Sequence, residues 1–193
     1  GWLCKIIGKR IDTSADLSSV KVSHGDYQEG AISAAVNLKE RNDLAVKGYL
    51  GLAAGRPALV FCVDVEHAED MAAAFQDAGV AARCIVGETP KDERREMLAD
   101  YKAGRIPVLC NCMVLTEGVD APETSCIILA RPTKSSLLLT QMIGRGTRIA
   151  PGKNNLLVID LVDAGAAGVA SLNTLFGLPP ALEFSDDVLT AKD

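Results

Sequence analysis

The run ALVFCVDVEHAEDMAAAFQDAGVAARCIVG, residues 58–87, decides the fold. Its first six residues are apolar without interruption and lie between Pro57 and Asp64. A short apolar run bounded in this way reads as a buried strand. Residues 66–79 then place apolar side chains at helical spacing and stop at Gly79, a helix with its terminator. ARCIVG, 82–87, returns to strand character. Strand, helix and strand in that order are a parallel unit, because two parallel neighbours need a crossover connection.

The same alternation continues downstream. In TPKDERREMLADYKAG, 89–104, Thr89 is placed to cap a helix, Pro90 suits its first position, Asp92 completes the box and Gly104 ends it. IPVLCNC (106–112), SCIILA (125–130) and NNLLVID (154–160) read as strands, with a helix at 133–144 and a tight LTEGVDAPET loop at 115–124. Upstream, WLCKIIGKRID (2–12) reads as a strand or short hairpin before a polar loop. A helical stretch over 29–54 breaks near Asn37, with Ala31, Ala34, Ala35 and Leu38 as its first apolar face and Leu44, Val46, Leu50 and Ala53 continuing it. Past Asp163 the pattern weakens to a short helix, a Pro-rich exit and an acidic tail from Ser185 that reads as mobile. About five continuously apolar strands call for a sheet covered on both faces. The crossover rule makes this a doubly wound α/β fold, RecA-like or Rossmann-like, in a single domain. We divide it into a lead-in strand and helical segment belonging to the same lobe (1–54), a RecA-like core (55–165) and a C-terminal extension (166–193).

Bulk properties agree. The 193 residues can bury a real core, and 48% apolar with only 4% aromatic residues favours α/β layers over an aromatic-rich sandwich. A net charge of −5 excludes a domain that grips nucleic acid by bulk electrostatics, though not contacts from backbone amides and a few arginines. Cys4, Cys62, Cys84, Cys110, Cys112 and Cys126 mostly sit in apolar runs without a C-x-x-C pair. They read as free thiols of a reducing, intracellular compartment, not disulfides or metal ligands. No run is long enough to span a membrane, and no signal peptide is visible. A chain opening on Gly1 reads as a fragment.

Ligands of open parallel sheets sit beyond the carboxyl ends of the strands. That directs attention to Asp64, 87–89, 116–122, 131–134 and the segment QMIGRGTRIAPGK, 141–153. PGKNN has the Gly-Lys of a phosphate loop but not its first glycine or hydroxyl residue, and GRGTRI follows a helix where a dinucleotide fingerprint must follow a strand. A nucleotide-binding oxidoreductase therefore lacks its fingerprint. DER, 92–94, lies in a capped helix start and not at a strand end, so it does not read as a Mg²⁺-binding box. What remains is Arg145 and Arg148 on a Gly-Arg-Gly-x-Arg turn. Two planar guanidiniums so spaced suit phosphate oxygens and the charge of a phosphoryl-transfer transition state. On spacing alone they equally suit a helix C-terminus paired with surface carboxylates.

In their order, ALVFCV, VGETPKDERREMLADYKAG, NCMVLTEGVDAP and QMIGRGTR resemble motif IV, the segment between IV and V, motif V and motif VI of the second RecA-like lobe of superfamily 2 helicases and translocases. RPTKS and TLFGLPP are similar to a mitochondrial branched-DNA helicase subgroup. The resemblance implies a motor lobe acting on ATP with Mg²⁺, both held mainly by a first lobe absent from this chain. Arg145 and Arg148 would be arginine fingers on the γ-phosphate, and Gln141 would position them or the attacking water. Glu117, Gly118 and Asp120 would line the nucleotide, with Asp120 near the ribose. Thr89, Arg94, Cys112 and Thr116 would face the nucleic-acid strand. Many relatives carry glutamine at the place of Lys91 and threonine at the place of Cys112. Gln141 stands where the DEAD-box RNA group has histidine, which points toward DNA and restriction-enzyme-like relatives. Mitochondrial and nuclear locations both fit. The alternative is a degenerate lobe kept as a docking or regulatory module.

Overall fold

A computed structural model describes residues 3–112 and 121–175. Six strands, β1 (Lys5–Asp16), β4 (Ala58–Phe61), β5 (Ala82–Ile85), β6 (Val108–Asn111), β7 (Cys126–Leu129) and β8 (Asn155–Ala164), form one sheet. Their order is β1-β8-β7-β4-β6-β5, and every pairing is parallel. β2 (Val22–Ser23) and β3 (Asp26–Tyr27) form a separate small hairpin. The helices are α1 (Glu29–Val36), α2 (Lys39–Leu52), α3 (Val65–Asp77), α4 (Lys91–Lys102), α5 (Ser136–Gly144) and α6 (Leu172–Leu175).

The apolar runs become strands because both faces are covered. Val60, Cys110, Ile128 and Ile159 join Val46 and Tyr49 of α2 and Met71 and Phe75 of α3 in one cluster. Their sequence neighbours Leu59, Leu109, Ile127 and Val158 point the other way, against Tyr101 of α4 and Leu139 and Met142 of α5. The strand period of two thus divides each run between two cores, and the doubly wound reading holds. Cys110 and Cys112 share a face, the first inside the α2/α3 core and the second packed against it. α3 and α4 each stop just before the glycine expected to end them. No helix among the described residues is long and apolar enough to cross a membrane.

Three expectations are decided or changed. Of the strand and the short hairpin read in the opening segment, the strand is what forms, and it runs on to Asp16: β1 is a single 12-residue strand paired with β8, with Gly8 mid-strand opposite Val158. The faces of the first two helices also differ. α1 buries Ile32, Ser33 and Val36, while Leu38 lies between the helices and is exposed. α2 buries Arg41 and Asn42 with Ala45, Val46 and Tyr49, and leaves Leu50 exposed. In α2 the reason is electrostatic. Arg41 Nε and Nη2 donate to the two oxygens of Asp163 at 2.7 and 2.8 Å, and Nη1 donates to Ala130 O at 2.8 Å. Thr13 Oγ1 donates to the same carboxylate. A buried charge is tolerated when paired and hydrogen-bonded like this, but hydrophobic periodicity cannot register it. Third, Thr89 does not cap α4. Pro90 is the N-cap, and Thr89 Oγ1 accepts from Val86 N–H at 3.0 Å, closing the turn that leaves β5.

Candidate functional site

The arginine segment is built by α5. Ser135 caps the helix by accepting from Leu138 N–H at 3.2 Å. Gln141, Gly144, Arg145 and Arg148 follow at the spacing of one helical face. With Ala121 they line a cleft of about 190 Å³. Arg145 is the C-cap residue of α5, where the helix dipole favours a cation. Helix-like hydrogen bonds carry the chain on through Gly146 and Thr147, which donate to Ile143 O and Gly144 O at 3.0 and 3.3 Å.

This turn is held on three sides. Beneath it, Gly146 lies so close to the sheet that a Cβ would come within 2.4 Å of Leu156 Cδ1 and 3.2 Å of Ile127 Cγ1. Glycine is required here for close approach. On one flank Cys4 N–H donates to Thr147 O at 2.9 Å, and Leu3 bridges Arg148. On the other flank Lys153 Nζ donates to Pro122 O, Gly146 O and Arg148 O at 3.1, 2.5 and 2.7 Å. The turn that presents it is Ala150–Lys153, closed by Lys153 N–H to Ala150 O at 3.1 Å with Gly152 at φ 78°. A Pro-Gly pair supplies the central residues of such a turn. Burial lowers the Lys153 ammonium from the ordinary lysine range.

Sequence reasoning treated Lys153 only as a failed phosphate loop. The signal for its real place was the A-P-G-K turn directly before an apolar strand. Position was also misjudged. α5 runs back along the sheet, so its C-terminal turn meets the starts of β1, β7 and β8. The arginines therefore lie at the amino end of the sheet, opposite the crevice to which the strand-end rule points.

Thr89, Arg94 and Cys112 do gather at the carboxyl ends, and each places a polar atom on the protein's own backbone. Arg94 Nη2 donates to Val86 O at 2.8 Å and Gly87 O at 3.3 Å. Cys112 Sγ donates to Val63 O at 3.3 Å, and Arg131 Nη1 donates to the same carbonyl at 3.1 Å. Burial, then Glu29, pushes the Cys112 thiol up. Asp64 caps α3 by accepting from His67 N–H at 2.9 Å. Thr116, Glu117, Gly118 and Asp120, and the acidic tail from Ser185, lie outside the described residues.

All six cysteines are free thiols. Burial pushes Cys84 up to about 11 and Cys126 up to about 12, and Cys62 and Cys110 well above the ordinary thiol range, which disfavours thiolate chemistry. Among the described residues no cluster of three or more His, Cys, Asp and Glu could hold a metal ion.

A parallel RecA-like sheet with a Gln-x-x-Gly-Arg-Gly-x-Arg cleft defines a class, and the comparisons agree. Residues 42–150 match the model of the helicase conserved C-terminal domain, and the chain belongs to that family as a C-terminal RecA-like lobe of superfamily 2. Among curated relatives, the putative ATP-dependent helicase IRC3 of Saccharomyces cerevisiae is 38% identical over 189 residues, covering 96% of this chain and 27% of that protein. The putative mitochondrial ATP-dependent helicase irc3 of Schizosaccharomyces pombe is 46% identical over 106 residues, 55% of this chain and 18% of that protein. A type I restriction enzyme EcoKI endonuclease subunit of Escherichia coli is 32% identical, covering 79% of this chain and 14% of its own length. The chain thus spans about a quarter or less of these relatives. Of solved structures, a fragment of a putative HsdR subunit of a type I restriction enzyme from Vibrio vulnificus aligns with a TM-score of 0.64 at 23% identity, over 86% of this chain and 33% of that one. The C-terminal domain of the DEAD-box protein Dbp5 aligns at 0.58 and 22%, over 74% and 78%. At these identities the likeness concerns the fold alone.

Proposed function

We propose that this chain is the second motor lobe of an ATP-dependent nucleic-acid helicase or translocase. The observation that carries the reading is the convergence of Gln141, Arg145 and Arg148 on one cleft, on a turn fixed from three sides. Two guanidiniums with a side-chain amide are a donor set suited to a polyphosphate. ATP with Mg²⁺ would supply the phosphoryl bond whose cleavage drives the motor, and a first lobe would hold most of it. Arg145 and Arg148 reach the γ-phosphate from this side and neutralise charge that develops there, and Gln141 orients them or the water. Glu117, Gly118 and Asp120 complete the nucleotide contact. Thr89, Arg94, Cys112 and Thr116 mark the edge along which the strand passes. Since Thr89 Oγ1, Arg94 Nη2 and Cys112 Sγ are engaged by backbone, that edge offers the strand shape and main-chain groups more than these side-chain atoms.

The similarity to a helicase named mitochondrial supports a mitochondrial location. The restriction endonuclease subunit supports DNA over RNA. The test is ATP turnover by the full-length polypeptide with no nucleic acid, single-stranded DNA, duplex DNA or RNA, beside Arg145→Ala. We expect stimulation by one nucleic acid and collapse in the variant. Turnover that ignores both nucleic acid and the substitution would leave a docking module as the better account.

A further inference from the structure

We propose that Lys153 is a positioning residue that fixes the two arginines by tying their turn to the segment entering β7. The inference rests on the reading of Arg145 and Arg148 given above. Its basis is the set of three carbonyls around one ammonium. Gly146 O and Arg148 O belong to the arginine turn, and Pro122 O belongs to the chain beside Ala121 on the facing wall of the cleft. An ammonium has three donors, and three acceptors meet them. Lys153 is thereby a bridge between two walls and not a ligand for phosphate.

The bridge is not replaceable by packing. Carbonyls drawn together by one cation repel once it is removed, and the part-buried Gly146 O is then left with the weak Cys4 Sγ donor at 3.6 Å. Gly146 underneath and Cys4 and Leu3 at the flank still hold the backbone of the turn in the fold, so the loss falls on the distance of both arginines, which act as one unit, from Ala121 across the cleft. Displacement of a reacting group by roughly 1 Å can cost about 100-fold in rate. An arginine in place of Lys153 keeps the charge, but its donors lie in one plane and do not converge on a point.

The test uses the full-length polypeptide and nucleic-acid-stimulated ATP turnover, with kcat and KM measured separately for wild type, K153M, K153R, R145A and the double variant R145A/K153M. We expect K153M to lower kcat by about 10- to 100-fold with the KM for ATP within about threefold, because the first lobe holds most of the nucleotide. K153R should recover part of the loss. The double variant should be no slower than R145A alone, since Lys153 acts through the arginines. Wild-type kcat in K153M, multiplicative losses in the double variant, or a rise in KM without loss of kcat would each overturn the proposal. Should K153M fail to fold, K153Q, which keeps a donor, carries the same measurements, and misfolding of both would assign Lys153 to stability alone. If R145A is itself without effect, the motor reading falls. If R145A is inactive and K153M is normal, only the inference about Lys153 falls.

Discussion

The two ends of the sheet treat polar side chains in opposite ways. At the amino end, Arg145 and Arg148 line a cleft, on a turn whose backbone is held by Cys4 and Lys153. At the carboxyl end, Thr89, Arg94, Cys112 and Arg131 are themselves the scaffold, each bound to a main-chain group of the loops after β4 and β5. Residue type and motif position were equally suggestive at both ends. What separates them is that one set lines a cleft and the other ties loops together, which only the folded chain reveals.

The comparison can be broken most directly at Arg145. Arg145→Ala should reduce stimulated ATP turnover of the full-length polypeptide by about 10³-fold or more and leave the unfolding midpoint of the lobe unchanged. A midpoint that falls with the rate would make that end a scaffold too. Arg41→Ala should do the reverse, costing about 3–5 kcal/mol in a denaturant titration, because Asp163 is left buried and unpaired. Replacing the pair together, with Arg41→Met and Asp163→Leu, should recover most of that loss.

A pH titration sharpens the same contrast. His67 is fully buried; its Nδ1 accepts from Val63 N–H at 3.3 Å, leaving Nε2 to donate to Asn42 Oδ1 at 3.2 Å. Burial, aided by Arg41, lowers its pKa to about 4. The unfolded chain takes up this proton near pH 6.5 and the folded lobe only near 4. The stability is thus fully present above about 6.5, falls by about 3 kcal/mol as pH drops through that window, and stays lost below it. His67→Gln should flatten that part of the curve. The smallest expected effect is at Arg94. Arg94→Ala should cost about 1–2 kcal/mol of stability through its bonds to Val86 and Gly87, read by thermal unfolding. An unchanged midpoint with weakened nucleic-acid binding would return Arg94 to the role its motif implies.

Much of this fold was legible in the sequence. Short uninterrupted apolar runs such as ALVF and CIIL, bounded by turn residues, read as strands covered on both sides, and Gly79 and Gly104 marked the helix ends. β1 was harder, because Lys5, Lys9, Arg10 and Asp12 on an edge strand hide its register. The buried face of α2 was misread where the paired Arg41 occupies a core position, and that of α1 where alanines at helical spacing outnumbered the buried Ile32 and Val36. In the site, Gln141, Arg145 and Arg148 came from motif spacing. Lys153 and Cys4 did not, since what they do depends on carbonyls brought near only by the tertiary fold.

The pairing of β1 with β8 sets an order of events in synthesis. Thr13 and Asp163 are 150 residues apart, and Cys4 and Gly146 are 142 apart. Within this lobe β1 therefore leaves the ribosome well before β8 and must wait for it, and such non-local parallel pairing is slow. Until it closes, β8 is an open sheet edge, and unpaired edges of this kind invite association with other chains. Because Leu3 and Cys4 also brace the arginine turn, the same closure that seals the edge completes the cleft.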